Sequence, residues 1–226
     1  MNKTNISWTD YTSNPIRARN RETGAVGHYC QRISAGCTHC YASTLNETAR
    51  FVGTGLGFTV PNLERVELYL DEAEIARWLR PSMRGKKVFV CDMTDMFGEW
   101  VPDEWLDRIF AGMALSPATF QVLTKRPQRM REYLTAGIGR IADTAIAMRK
   151  ASGEQPVVVP LPNVPPGGEW FPLPNVWLGV STEDQSAAED RIPVLLDTPA
   201  AIRFISYEPA LGPIDLTKVI PEFVRP

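Results

Sequence analysis

Short apolar runs alternate with segments of helical periodicity along the chain, and this order predicts an α/β fold. The predicted strands are short and apolar, as buried parallel strands are: Asn14–Ala18, Val66–Leu70, Lys87–Cys91, Thr119–Leu123, Asn175–Val180 and Ile202–Ser206. The predicted helices lie between them: Ser43–Phe51, Asp71–Leu79, Pro102–Leu115, Gln128–Leu134 and Ser186–Leu196. Because strand–helix–strand units have right-handed crossovers, a barrel-like (β/α) array and an open doubly wound sheet are the main topologies.

A proline-rich stretch interrupts this alternation late in the chain. Seven of the nineteen prolines fall between residues 155 and 175, where a regular helix or a central strand cannot accommodate them. We therefore predict a loop insertion at about residues 151–174. The rest of residues 1–226 is expected to form one domain.

The composition is that of a soluble globular protein. Of the 226 residues, 44% are hydrophobic and 22% are charged, and a chain of this length buries enough core to fold without disulfides. The formal net charge of −2 excludes a strongly basic nucleic-acid-binding domain. Because no signal peptide and no membrane-spanning run is evident, we expect a cytoplasmic protein without a membrane partner.

Three of the four cysteines lie close together. Cys30, Cys37 and Cys40 form a C-x6-C-x2-C pattern, and both histidines, His28 and His39, fall within the same thirteen residues. Structural disulfides are disfavoured in a reducing cytoplasm, so clustered thiols there indicate metal binding or catalysis. We expect this segment to bind a metal through Cys30, Cys37 and Cys40.

Two metal chemistries fit the three thiols. A structural zinc ion would need a fourth ligand, for which His28, His39 and Cys91 are candidates. A [4Fe-4S] cluster held by three cysteines would instead keep one iron open for a substrate or cofactor. Cys91 ends a predicted strand, so a buried strand cysteine is its expected role.

Polar side chains follow four of the apolar runs. In parallel α/β folds such residues meet at the carboxyl ends of the strands, which here would also receive the cysteine segment. They are Asp92, Thr94, Asp95, Thr124, Lys125, Arg126, Ser181, Glu183, Ser206 and Glu208. Together they suit a zwitterionic cofactor that bears a ribose. The expected contacts are Lys125 and Arg126 with a carboxylate or phosphate, Asp92 or Asp95 with an amino group, and Glu183 or Glu208 with the ribose.

Seven stretches give the chain a family resemblance. They are Ile6–Asp10, Asn14–Arg19, Ser34–Ala42, Val88–Phe97, Val122–Pro127, Asn175–Ser181 and Arg203–Ile214. In combination they resemble a family of phage-associated three-cysteine proteins of uncharacterised function that are described as radical SAM-like. The resemblance covers most of the chain and is specific for the family more than for a reaction.

The resemblance implies a partial (β/α) barrel, related to the TIM barrel, of about six mostly parallel strands. Cys30, Cys37 and Cys40 would hold a [4Fe-4S] cluster, and S-adenosylmethionine (SAM) would be cleaved to methionine and a 5′-deoxyadenosyl radical. The phage association implies a nucleic acid as substrate, and relatives suggest a separately encoded companion protein.

The chain departs from the usual radical SAM pattern in three ways. The first cysteine gap is six residues instead of three, and His39 stands where an aromatic residue usually precedes the last cysteine. No glycine-rich stretch follows the second strand, so Asp92 to Asp95 would take its place. Relatives continue past Ile214, and the barrel is therefore expected to be open or truncated at its C-terminus.

The alternative hypothesis is a zinc-stabilised module that binds or processes nucleic acid. This hypothesis depends on the two histidines and on four arginines beside the cysteines. The arginines are Arg17, Arg19, Arg21 and Arg32. Phosphate contacts by such arginines would make binding strongly salt-dependent.

Overall fold

The main structural element is a six-stranded, mostly parallel sheet. The computed structural model describes residues 1–48, 53–153 and 170–220. The strands of the sheet, in spatial order, are β1 (Asn2–Lys3), β2 (Tyr11–Ser13), β6 (Lys87–Val90), β7 (Thr119–Thr124), β8 (Val176–Ser181) and β9 (Ile202–Ser206). Only β1 is antiparallel, to β2, and the other neighbours are parallel. The predicted α/β class with about six mostly parallel strands is confirmed.

A smaller sheet of three antiparallel strands lies beside the main one. It consists of β4 (Val26–Gly27), β3 (Ile16–Asn20) and β5 (Val66–Leu70), in that order. Two predicted parallel strands, Asn14–Ala18 and Val66–Leu70, therefore belong to this sheet, and their assignment to a parallel array is wrong. In β3, buried Ala18 lies between the more exposed Arg17 and Arg19. Such alternation is typical of an antiparallel sheet with one face toward solvent.

Six α-helices lie among the described residues. They are α1 (Tyr41–Glu47), α2 (Glu72–Trp78), α3 (Asp103–Leu115), α4 (Pro127–Ala136), α5 (Ile138–Ala151) and α6 (Gln185–Leu196). Short 3₁₀ turns occur at Ala35–Cys37, Val60–Leu63, Pro81–Met83 and Leu216–Lys218. Five helices match predicted ones to within about two residues, apart from the end of the first. The predicted end at Phe51 is too late, because α1 ends at Glu47 with Thr48 as its C-cap residue.

Helix α5 was not predicted. Its sequence contains glycine and alanine at several positions, and only Ile141 and Ala145 are buried. The apolar face is therefore too narrow to give a strong helical pattern. Most of the predicted proline-rich insertion, residues 154–169, lies outside the described residues, and its flank at Trp170 and Phe171 contacts the main core.

Strand register separates the two faces of the main sheet. Val88, Val90, Phe120, Val122 and Leu178 belong to a core of buried side chains that the helices cover. The neighbouring positions point to the opposite face, where Phe89 pairs with Gln121 and Gly179 pairs with Phe204. This second face forms the wall of the cleft described below.

The sheet has two edges, β1 and β9. Within residues 1–48, 53–153 and 170–220 no strand pairing joins them into a closed barrel. None of the helices in those ranges has the length and apolar character needed to cross a bilayer.

Candidate functional site

A cleft of about 900 Å³ opens at the carboxyl ends of the parallel strands. Cys30, Cys37 and Cys40 all line it. Nine of the ten polar residues predicted for the site line it as well: Asp92, Thr94, Asp95, Thr124, Lys125, Arg126, Ser181, Ser206 and Glu208. The structure thus brings the cysteine segment and the strand ends together at one site. Cavities of this size hold cofactor-sized ligands.

The cysteine segment connects β4 to α1. A 3₁₀ turn covers Ala35–Cys37, and Cys40 is the N-cap residue of α1. The four cysteines of the chain are free thiols, and the three in the segment are half-buried. In the described parts of the chain, no three His, Cys, Asp or Glu side chains are arranged so that they could hold a metal ion. By donor type the three thiols suit a soft metal.

Two of the thiols have different surroundings. The Cys30 thiol donates to the carbonyl of Gln31 at 3.8 Å, and burial, aided by the negative charge of Asp95, raises its pKa to about 12. Burial also raises the pKa of Cys37, but hydrogen bonds from the segment at Ile33 and Ser34, together with the positive charge of Lys125, outweigh it. The net pKa of Cys37 is lowered. Cys37 is therefore the more easily ionised of the two.

The three candidates for a fourth ligand occupy different places. His28 lies behind the segment, where its Nδ1 is 3.4 Å from the carbonyl of Ile16 and its Nε2 is 3.5 Å from Arg17. Burial, followed by the charge of Arg17, lowers the pKa of His28 to about 4. His39 and Cys91 line the cleft. Cys91 is buried directly after β6, as expected, and has a positive φ of 63°.

Asp95 joins two strand ends through several hydrogen bonds. Its carboxylate accepts from the Thr124 hydroxyl at 2.7 Å, from the Lys125 backbone N–H at 3.1 Å and from the Arg126 guanidinium at 3.0 Å. The guanidinium also lies 4.7 Å above the ring centroid of Trp100. Asp95 and Arg126 are thus largely occupied with each other, although both line the cleft.

Glu183 is the predicted site residue that does not line the cleft. It is only 1% exposed. Its carboxylate accepts from Ser34 at 2.7 Å and from Arg191 at 2.9 Å, and it forms an ion pair with Lys125. Lys125 in turn donates to Ser181 at 2.9 Å. The carboxylate therefore lies between the strand ends and the back of the cysteine segment.

Three lining residues are less engaged. Asp92 accepts from the Asn14 amide at 2.7 Å, and burial raises the pKa of its carboxyl group. Among the described residues, the side chains of Ser206 and Glu208 have no hydrogen-bond partner, so they are free to contact a ligand.

Several side chains of the site escaped the sequence analysis. The Tyr41 hydroxyl donates to the carbonyl of Asp92 at 2.8 Å, which fixes the start of α1 beside β6. Trp8 lies against the sheet face, with its ring centroid 4.9 Å from that of Phe89 and 6.4 Å from that of Phe204. Trp8 also lines the cleft. Trp8 and Tyr41 both lie in stretches that carry the family resemblance, and that was the only available signal.

The chain was compared with families of known proteins. The family model described as "Protein of unknown function (DUF5131)" matches residues 3–222. The chain belongs to this family. Membership of DUF5131 agrees with the expected family of uncharacterised function, and the match spans the cysteine segment and all four strand ends. No curated protein and no solved structure matches the chain.

Proposed function

We propose that this DUF5131 protein is a radical SAM-like enzyme whose cleft binds a [4Fe-4S] cluster through Cys30, Cys37 and Cys40 and binds SAM at the strand ends. One observation carries the proposal: three thiols and nine strand-end polar residues, far apart in sequence, line one cleft. A three-cysteine cluster keeps an open iron, and the polar strand ends suit the charged groups of SAM.

The thiols fit a soft metal by donor type, and cluster binding requires them to turn toward one centre. The segment that carries them is short, and all three are partly exposed to the cleft. Cys40 is the N-cap residue of α1 and lines the cleft. Lys125 adds a positive charge beside Cys37. These features favour the anionic form of Cys37, whereas the Cys30 thiol, whose pKa is raised, would lose its proton when it binds the metal.

The strand ends would position SAM by charge. The Lys125 ammonium is the cation for the carboxylate of SAM: it lines the cleft, its side chain is more exposed than that of Arg126, and it can bind SAM while it keeps its ion pair with Glu183. Asp92 is the acceptor for the amino group, because among the described residues only the Asn14 side chain donates to its carboxylate. Glu208 is the acceptor for the ribose hydroxyls, since its side chain faces the cleft without a partner in the described structure.

A [4Fe-4S] cluster held by Cys30, Cys37 and Cys40 would, once reduced by an external electron donor, supply the one electron needed for reductive cleavage of SAM to methionine and a 5′-deoxyadenosyl radical, and that radical would take a hydrogen atom from the substrate. The chain's own contribution is positioning and exclusion of water. Trp8 and Phe89 supply an apolar wall to the cleft, and the buried Asp95–Arg126 pair joins β7 to the cysteine segment through the carbonyl of Gln31.

The first test is metal analysis of protein purified and reconstituted without oxygen. We expect about four irons and four acid-labile sulfides per chain, lost in Cys37→Ala and kept in Cys91→Ala. Reduced protein should then release methionine and 5′-deoxyadenosine from SAM. A Glu208→Ala variant should keep its iron and bind SAM more weakly, because Glu208 lines the cleft away from the cysteine segment. Iron-free wild-type protein after reconstitution, or a loaded protein that leaves SAM intact, would contradict the proposal.

Zinc is the alternative outcome of the same measurement. His39 lines the cleft with the cysteines and would complete a Cys₃His site. One zinc per chain without sulfide would favour the zinc-stabilised nucleic-acid module. Salt-sensitive binding of DNA or RNA would then be the next measurement.

Two finer features belong to this proposal. The six strands would curve as a partial (β/α) barrel that is open between β1 and β9, and support comes from Trp8, which contacts aromatic rings on β6 and β9, three strand positions apart. A nucleic-acid substrate in a phage context and a separately encoded companion protein are predictions from the resemblance alone.

A further inference from the structure

The back of the cysteine segment touches the loop after β8 at two adjacent points. Ser34 donates a hydrogen bond of 2.7 Å from its hydroxyl to Oε1 of Glu183. The same hydroxyl lies 3.6 Å from the sulfur of Cys37. A chain of two contacts therefore leads from the Glu183 carboxylate to a thiol of the cleft.

Gly36 supplies the second point of contact. A β-carbon at Gly36 would lie 2.5 Å from Oε1 and 2.8 Å from Cδ of Glu183, and closer still to Cγ. Real side chains do not approach so closely. Only glycine at this position lets the segment lie directly against the Glu183 side chain.

The Glu183 side chain cannot move aside easily. It is 1% exposed, and its carboxylate is held by Arg191 from α6 and by Lys125 from the end of β7. Arg191 is itself 6% exposed and donates a second bond, of 2.6 Å, to the carbonyl of Ser181. Displacing the carboxylate would leave two cations without their buried partner, which is costly.

We propose that Glu183 is a positioning residue: with Lys125 and Arg191 it forms a fixed anchor onto which Ser34 and Gly36 dock, and this docking holds Cys37 at the cleft. Glu183 thus acts through the cysteine segment and makes no contact with SAM. That the anchor places Cys37 for cluster binding rests on the proposed function. The contact of Ser34 and Gly36 with Glu183 is present in the chain without any cofactor.

A double-mutant cycle tests the contact on cofactor-free protein. Gly36→Ala places a methyl group against Glu183 and should lower the Tm by about 5 °C. Glu183→Ala removes the three atoms nearest to the added methyl group, so in that background Gly36→Ala should lower the Tm by less than about 2 °C. Gly139→Ala is the matched control, because nothing lies within 4 Å of its β-carbon position, and its effect should be the same in both backgrounds. Equal effects of Gly36→Ala in the two backgrounds would overturn the proposal.

A second measurement covers the case in which Glu183→Ala does not fold. Hydrogen exchange of residues 33–37 should become at least about tenfold faster in Ser34→Ala and in Gly36→Ala, while exchange in α3 stays unchanged. Unchanged exchange in residues 33–37 would show that the segment is not held by this contact, and would overturn the proposal by itself.

Iron content separates this proposal from the proposed function. If the anchor positions Cys37, Gly36→Ala should bind less iron than Gly139→Ala under the same reconstitution. Faster exchange in a protein whose wild-type form binds no iron would leave the anchor intact and refute the cluster. Full iron binding by Gly36→Ala together with unchanged exchange would refute the anchor and leave the cluster intact.

If Glu183 bound the ribose directly, a Glu183→Gln variant would lose SAM affinity with no change in exchange of residues 33–37.

Discussion

The Asn46 side-chain oxygen accepts a hydrogen bond of 2.8 Å from the backbone N–H of His28. These two residues flank the cysteine segment, so their contact closes residues 28–46 into a loop. The same side chain also accepts from the Thr54 backbone N–H at 3.2 Å and donates to the Thr54 hydroxyl and the Leu56 carbonyl, both at 2.7 Å. One fully buried amide therefore ties α1 to β4 and to residues 54–56.

Replacing this amide should destabilise the protein. We expect Asn46→Ala to lower the free energy of unfolding by about 3 kcal/mol, because four hydrogen bonds are lost and their buried partners are left unsatisfied. Asn46→Asp keeps the acceptors but loses both donated bonds, and it should be destabilising as well. Urea unfolding of the purified variants measures both effects.

Asn62 offers a matched control for Asn46. Its amide donates to the Gly57 carbonyl at 2.8 Å, and the residue is only half-buried. Asn62→Ala should therefore cost about 1 kcal/mol or less. If Asn46→Ala is no more destabilising than Asn62→Ala, the amide does not hold the segment as the structure indicates.

The cysteines should separate into two groups by metal content. Cys30→Ala and Cys40→Ala, like Cys37→Ala, should lose bound iron after reconstitution, because each removes one of three ligands. Cys91→Ala should keep it, since Cys91 lies outside the cysteine segment and is buried at the end of β6, whereas the three cysteines of the segment are half-buried. Iron and sulfide per chain provide the comparison, and iron loss in Cys91→Ala would make Cys91 a ligand.

The sequence predicted the elements that have strong local patterns. Strands β6 to β9 are apolar runs that end in polar residues, and helix α3 has one apolar face, so both types were found with nearly correct bounds. Strand β2 was missed because it has three residues, two of them Thr12 and Ser13, and its identity as a strand depends on pairing with β6. Local periodicity carries no signal for such pairing.

The sequence predicted which residues lie at the candidate site better than it predicted what each of them contacts. The rule that parallel strand ends meet brought nine of ten polar residues to the cleft. It could not show that Asp95 and Arg126 pair with each other, or that Glu183 faces the cysteine segment, because these contacts join residues 31 and 149 positions apart. The tether from Tyr41 to Asp92 spans 51 positions and was equally invisible.

Trp8 should contribute to the stability of the main sheet as well as to the cleft. Its indole contacts rings on β6 and β9, yet it remains 36% exposed. We expect Trp8→Ala to lower the free energy of unfolding by about 2 kcal/mol, less than for a fully buried tryptophan. Trp8→Phe keeps a ring against Phe89 and should recover about half of this loss. Denaturant titration of the two variants gives the comparison, and an effect of Trp8→Ala within error of zero would contradict the packing.

Glu74 should make stability depend on pH in the acid range. Its side chain is 8% exposed, and burial alone would raise its pKa. Hydrogen bonds from the Met1 ammonium group and Ser13, together with the charge of Arg77, outweigh burial and leave the pKa below its usual value of 4.5.

Because the folded-state pKa of Glu74 is depressed, the ionised carboxylate stabilises the protein at pH values above 4.5, and this contribution is lost as the pH falls through the folded-state pKa. Glu74→Gln removes the charge and should cost about 2 kcal/mol near neutral pH. The difference between wild type and Glu74→Gln should shrink as the pH falls below 4.5. Urea unfolding of both proteins at a series of pH values measures it, with Glu72→Gln as the control because the Glu72 side chain is 52% exposed. A difference between wild type and Glu74→Gln that stays constant down to strongly acid pH would contradict the assigned contacts, since a carboxyl group with an ordinary pKa contributes no such dependence.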